Sequence, residues 1–266
     1  MSAWLGAFGA CFRSDLLKLR RTHALVLPLL LSAAPPLVFF VYVLQRGTGG
    51  YPVDVSPIAW TVQGTLSIWG SFLLPAMVAV ECSLLASIEH GGNGWKHLLA
   101  LPLPRSAVYA SKFAMAGSLI ALAHGALFVY TLAAGWGLGR MRADAGFGGS
   151  LYVRQTLLLV FLVGLGGALL VGIHAVVALR WPTFAINIGL ALGGLLIGVV
   201  LVESRLRNFY PWSLPSAVQN IAWPLVFGLR GRAGPLEVAA LVAISSIACF
   251  AVMALGTWWL GRRDVP

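Results

Sequence analysis

The chain has 266 residues, 59% of them hydrophobic and only 10% charged, with a mean hydropathy of +0.88. Soluble domains carry about 25% charged residues, so a soluble globular domain is excluded. The 18 Lys and Arg outnumber the 8 Asp and Glu, for a net charge of +10, but they stand between apolar runs, where such residues anchor loops to headgroups and set topology. No basic run with interleaved aromatics points to a nucleic-acid partner.

In chain order, residues 1–22 come first. Trp4, Leu5, Phe8, Phe12, Leu16 and Leu19 recur at three- and four-residue steps, while Arg13, Asp15, Lys18 and Arg20 mostly take the other side. That pattern predicts an amphipathic helix in the membrane interface. The charge-free run from Thr22 to Gln45 is too long for a signal h-region and lacks an A-x-A site, so it reads as a retained first span. Arg13, Lys18, Arg20 and Arg21 precede this span and only Arg46 follows it. The asymmetry predicts both termini on the cytoplasmic side.

About 20 apolar residues cross the hydrocarbon core. Six stretches qualify, at 24–44, 58–86, 113–136, 155–178, 184–202 and 238–260, and unpaired backbone is intolerable in lipid, so each is expected to be a helix. A further charge-free stretch, 208–229, contains Pro211, Pro215 and Pro224 together with Asn208, Ser213, Gln219 and Asn220. Its prolines break the helical ladder, so it is expected to be re-entrant or to lie on the surface. The predicted fold is all-α and polytopic, a single domain over 1–266 with six transmembrane helices behind an amphipathic N-terminal helix.

Polar and small residues within the spans supply the candidates for function. Gly164 and Gly172 in the fourth span, and Gly189, Gly193 and Gly198 in the fifth, let helices approach closely inside one subunit or between two. His124 and His174 invite a membrane-embedded redox or enzyme subunit as the alternative reading. Their depths differ by roughly 10 Å at the helical rise, which argues against a shared haem. Glu81 ends the charge-free part of the second span and Glu89 follows it; acidic groups at a membrane boundary are functional candidates by default. Trp60, Trp69 and Phe72 could line a substrate path. Cys11, Cys82 and Cys249 show no metal or disulfide spacing.

The main interruption of the apolar chain is "SIEHGGNGWKHLLALPLPRSAVYASK", residues 87–112. A Walker loop needs G-x-x-x-x-G-K-[ST] after a strand. Here Trp95 separates Gly94 from Lys96, His97 replaces the hydroxyl, and no strand precedes. H-E-x-x-H and G-x-S-x-G are also missing. No catalytic or metal site is predicted. The glycines end the preceding helix, "WKHLLALPLP" offers a short helix with Trp95, Leu98 and Leu99 for contact, and Pro102 and Pro104 stop it before Arg105.

Glu81 and Glu89, "WKHLLALP", "LPR" and "YASK", with six spans and the tail "GRRDVP", resemble the permease subunits of type-2 ABC (ATP-binding cassette) transporters. "NFYPWSLP" is similar to the permeases of lantibiotic and bacteriocin immunity. The resemblance implies a dimer with a second or sister permease and a separate ATPase partner that holds ATP and Mg, with no cofactor in this chain. It implies a bacterial cytoplasmic membrane and an amphipathic peptide or antibiotic as substrate. The 87–112 loop would then be the coupling helix, with Trp95, Leu98 and Leu99 as anchors. Lys96, His97, Pro102 and Arg105 would border them, and Glu81 and Glu89 would tie the loop to Arg13, Lys18 or Arg20. The 208–229 segment would cap the outer end of the path.

Overall fold

The computed structural model describes residues 2–19, 22–46, 55–91, 94–201, 204–230 and 234–262. Arg20, Arg21, Gly92 and the tail from Arg263 lie outside the described residues. Helices make up the architecture, and no strand occurs among the described residues. They are α1 (Ser2–Leu19), α2 (Leu27–Arg46), α3 (Pro57–Ile68), α4 (Leu74–His90), α5 (Gly94–Ala100) and α6 (Arg105–Met141). After these come α7 (Val153–Gly166), α8 (Ala168–Arg180), α9 (Phe184–Val200), α10 (Leu214–Val226) and α11 (Pro235–Gly261).

Among the described residues, four helical stretches are long and apolar enough to cross a membrane, α2, α3 with α4, α6 and α11, and the bent pair α7–α8 makes a fifth if taken as one span. Proline starts two of them, since Pro57 and Pro235 occupy first-turn positions, where the missing N–H costs nothing. The stretch Pro57–His90 is continuous but passes through a π turn at Trp69–Leu73, where Leu74 N–H reaches Trp69 O. Pro75 has no N–H for the Ser71 carbonyl, and the wider turn absorbs the lost bond.

The fourth expected span departs from a single rod. α7 and α8 are bent by 41° at Gly167, and a hydroxyl from α11 repairs the break. Ser245 Oγ donates to Gly166 O at 2.8 Å and accepts from Leu169 N at 3.1 Å. Irregular backbone at membrane depth survives only with such a substitute partner. A Cβ on Gly167 would come within 2.8 Å of Leu74 Cδ2, so the break and the π turn lie against each other. The fifth expected span, α9, has 17 residues and is about 25 Å long, shorter than the ~30 Å hydrocarbon core. Two 3₁₀ turns, Arg205–Asn208 and Pro211–Ser213, lead into α10, whose 13 residues cover about 20 Å, too short to cross. One side of α10 is buried through Leu214, Val218, Gln219 and Ala222.

The loop is also shorter than expected. α4 runs on to His90 and α6 already begins at Arg105, so only 91–104 leaves the two long helices. The α1 pattern needs correction too. Leu5, Leu16 and Leu17 are exposed, whereas Ala7, Cys11, Asp15 and Leu19 form the buried line. Asp15 belongs to the inward face, and Lys18 reaches inward as well.

Candidate functional site

The helices around the loop converge on a buried charge cluster. Lys112 Nζ on α6 lies 2.6 Å from Asp15 Oδ1 on α1 and 2.6 Å from Glu89 Oε1 on α4. Lys18 Nζ closes the same Glu89 oxygen at 2.5 Å, and Ser111 Oγ donates to Asp15 Oδ2 at 3.2 Å. Asp15, Glu89 and Lys112 are almost wholly buried while the Lys18 side chain is 35% exposed. Two carboxylates and two ammonium groups balance, which makes the burial tolerable. Glu89 therefore meets Lys18, one of its expected partners. Asp15 and Lys112, the other half of the cluster, were not among the candidates. Arg13 is exposed on α1, and Arg20 lies outside the described residues.

Burial pushes the Cys11 thiol, one turn before Asp15, above its ordinary value, and the Asp15 charge adds to the rise. Such a thiol is a packing residue rather than a nucleophile. Glu81 does not join the cluster. It is fully buried, and neither carboxylate oxygen has a hydrogen-bond partner among the described residues.

The glycine ahead of Lys96 has a steric reason. A Cβ on Gly94 would stand 2.8 Å from Glu89 O and 3.0 Å from Glu89 Oε2, so α5 can start beside the cluster only with no side chain there. Trp95 then turns inward. It is 9% exposed, packs 5.7 Å from the Tyr109 ring, and donates from Nε1 to His90 Nδ1 at 3.2 Å. His90 Nε2 is left as the protonated nitrogen and donates to Ala178 O at 2.9 Å, near the end of α8. The expectation that Trp95 offers its ring outward is thus corrected. Leu98 and Leu99 are half-buried against the core, and Lys96, His97, Leu101 and Pro102 form the exposed surface. Arg105 is turned toward the end of α11, where Nη1 donates to Gly261 O at 3.0 Å.

The histidines have protein partners of their own. His124 Nδ1 donates to Ile120 O at 2.8 Å, and its Nε2 accepts from Trp69 Nε1 at 3.3 Å. His174 Nδ1 bonds Asn187 Oδ1 at 2.7 Å, and Asn187 Nδ2 reaches Ala79 O and Ser83 Oγ. These bonds tie α8 and α9 to α4. No group of three or more potential metal ligands forms among the described residues.

The three aromatics suggested for a path are not brought together. Trp60 packs edge-to-face against Phe39 and tilted against Tyr42, Trp69 is fully buried on His124, and Phe72 is exposed. The glycines also divide. Gly164 faces the His124 ring, Gly172 the Cys249 backbone and Gly198 the Ser213 hydroxyl, whereas Gly189 and Gly193 have open space beside them.

A known family matches most of this chain. The model of the ABC-2 family transporter protein matches residues 11–198, well over half of the chain and from within α1 to α9. This chain belongs to the ABC-2 transporter family. A search of curated proteins finds no match. As an ABC-2 permease, the chain is a multi-pass membrane component without an ATPase site of its own. Membership implies a separate ATP-binding cassette ATPase as partner. The match includes the whole charge cluster and the α5 loop.

Proposed function

We propose that this chain is the membrane subunit of an ATP-driven exporter, and that α5 is where the partner ATPase docks. One observation carries the reading: a seven-residue helix outside the long spans is braced on both sides. Trp95 and His90 connect it to α8, and Gly94 seats it on Glu89, which the cluster joins to α1 and α6. A loop serving only as a connection would not need such anchoring. A braced one moves α4, α6 and α8 together when pushed.

In this reading α2, α3 with α4, α6, α7 with α8, α9 and α11 are the six spans, with both termini and α5 in the cytoplasm of a bacterial cell. ATP and Mg bind the partner. The exposed side of α9, including Gly189, Gly193, Leu192 and Leu196, suits a second or sister permease. The substrate is an amphipathic membrane-associated compound such as an antimicrobial peptide or related antibiotic. Lantibiotic or bacteriocin immunity is the physiological setting that the "NFYPWSLP" likeness suggests.

Lys96→Glu combined with Leu101→Ser tests the docking surface without disturbing the brace, because both side chains are exposed. Hot-spot residues near the centre of a contact cost about 2 kcal/mol or more when changed. Co-purification of an ABC ATPase, recognised by its Walker A peptide in mass spectrometry, is expected to fall at least tenfold. Retention at the wild-type level would place docking elsewhere.

A further inference from the structure

A groove of about 590 Å³ lies between α6, the α7–α8 pair and α11. It runs along α6 from Phe113 to Phe128, about 22 Å at the helical rise. Gly117, Ala121 and Gly125 form an exposed floor, and a Cβ built on Gly117 or Gly125 meets nothing within 4 Å. Phe161 and Phe250 stand exposed at the rim. Close helix contacts seal the back: a Cβ on Gly164 would lie 3.3 Å from the His124 ring, and one on Gly172 would lie 3.3 Å from Cys249 O. Leu165 and Ala168 bring both sides of the break at Gly167 to the wall.

The polar groups of the lining are nearly all spent within the protein. Both His124 ring nitrogens are bonded, to Ile120 O and Trp69 Nε1, and the Cys249 thiol donates to Met253 Sδ at 3.5 Å. Ser246 is the remaining polar side chain, and no Asp, Glu, Lys or Arg lines the groove among the described residues. A peptide occupant would bring backbone amides that need a partner at every residue, and these walls offer almost none. Hydrocarbon needs none. Shape narrows the choice further: the volume spread over that length leaves a mean section of about 27 Å², well under that of a helix about 10 Å across. The groove admits a single chain and not a helix.

We propose that the groove seats one extended acyl chain of a membrane lipid, threaded along α6 and against the α7–α8 bend. Phe113 follows Lys112 of the charge cluster, so the groove begins where the charged layer ends. Each leaflet contributes about 15 Å of the ~30 Å hydrocarbon core, and the groove therefore passes the midplane by about 7 Å. Only a straightened chain fills it to Phe128. Close-packed protein is denser than liquid hydrocarbon, so a straightened chain gains dispersion contacts here in exchange for its lost rotamers. It touches Leu165 before the break and Ala168 after it, and so holds the bend from the lipid side. The seat does not depend on where the ATPase docks.

The test uses the whole chain in vesicles of dioleoylphosphatidylcholine, with a trace of the same lipid carrying a diazirine at one chain end. After illumination, lipid adducts are mapped and quantified by mass spectrometry. Adducts on Phe128 and Leu157, which line the groove, are expected to exceed those on Leu30 and Leu37, exposed on α2, by about fivefold or more. Gly117→Leu with Gly125→Leu fills the groove and is expected to bring the two places to parity while leaving the α2 adducts unchanged. Equal labelling of the two places in the unmutated chain would overturn the proposal, and that comparison needs no variant to fold. Labelling of Phe128 that persists in the filled variant would overturn it too. So would a disulfide between two copies carrying Phe250→Cys in the same vesicles, which would make the groove a subunit contact.

Discussion

Lys112→Met is expected to destabilise the protein by about 3–5 kcal/mol, the cost of leaving buried carboxylates without their partner. Asp15 and Glu89 share this ammonium at 2.6 Å on each side, and Lys18 contacts only Glu89 among them. Asp15 would keep Ser111 as a donor but lose its charge partner. Thermal unfolding in detergent measures the effect. Neutralising the acids as well, with Asp15→Asn and Glu89→Gln beside Lys112→Met, is expected to recover most of the loss, because the penalty belongs to the uncompensated charges. A triple variant as unstable as the single one would show that Lys112 acts through packing instead.

Trp95→Ala is expected to uncouple the transporter. Truncating a buried tryptophan costs about 3–5 kcal/mol in a closed core, and the seven-residue helix keeps only the half-buried Leu98 and Leu99 and the Gly94 contact besides. The ring contact with Tyr109 and the bond to His90 disappear together, so α5 loses its path to α8. Substrate export is expected to fall at least tenfold while ATP hydrolysis by the partner continues. Trp95→Phe retains the ring packing and is expected to keep most of the export. The comparison separates a brace from a contact residue: on the proposed reading the exposed pair Lys96 and Leu101 is expected to set partner affinity, and Trp95 to set transmission. Parallel losses of affinity in both variants would erase that distinction.

Much of the fold can be read in the sequence because lipid imposes length and polarity on a spanning helix. The runs at 24–44, 58–86, 113–136 and 238–260 correspond to helices long enough to cross. The break in the fourth run is harder to foresee. In "VGLGGALL" the glycines look like packing residues, and the bend depends on Ser245, 78 positions from Gly167. For the same reason the π turn is visible only as Pro75 within an apolar run.

The site divides along a similar line. Glu89 and Lys18 could be matched because both carry charge at one membrane boundary. The large apolar residues at three- and four-residue steps in α1 predict Asp15 on the outward side. The four-residue steps Ala7, Cys11, Asp15 and Leu19 mark a narrow inward line that brings α1 close to α6, and the large residues Leu5, Leu16 and Leu17 are left exposed. Nothing in "YASK" marks Lys112 as the shared partner of two buried carboxylates. Trp95 looked like an anchor for a partner because an aromatic in a short loop helix usually needs a cover, and His90 and Tyr109 of the same chain provide it.

The most direct measurement is photocrosslinking from single positions of the permease in cells. A photoreactive residue at His97 or Leu101, both exposed on the loop, is expected to capture an ABC ATPase, identified by its Walker A peptide. The same residue at Trp136 or Met141, exposed at the opposite end of α6, is expected to capture none. ATPase captured from the α6 end, with none from the loop, would contradict the account.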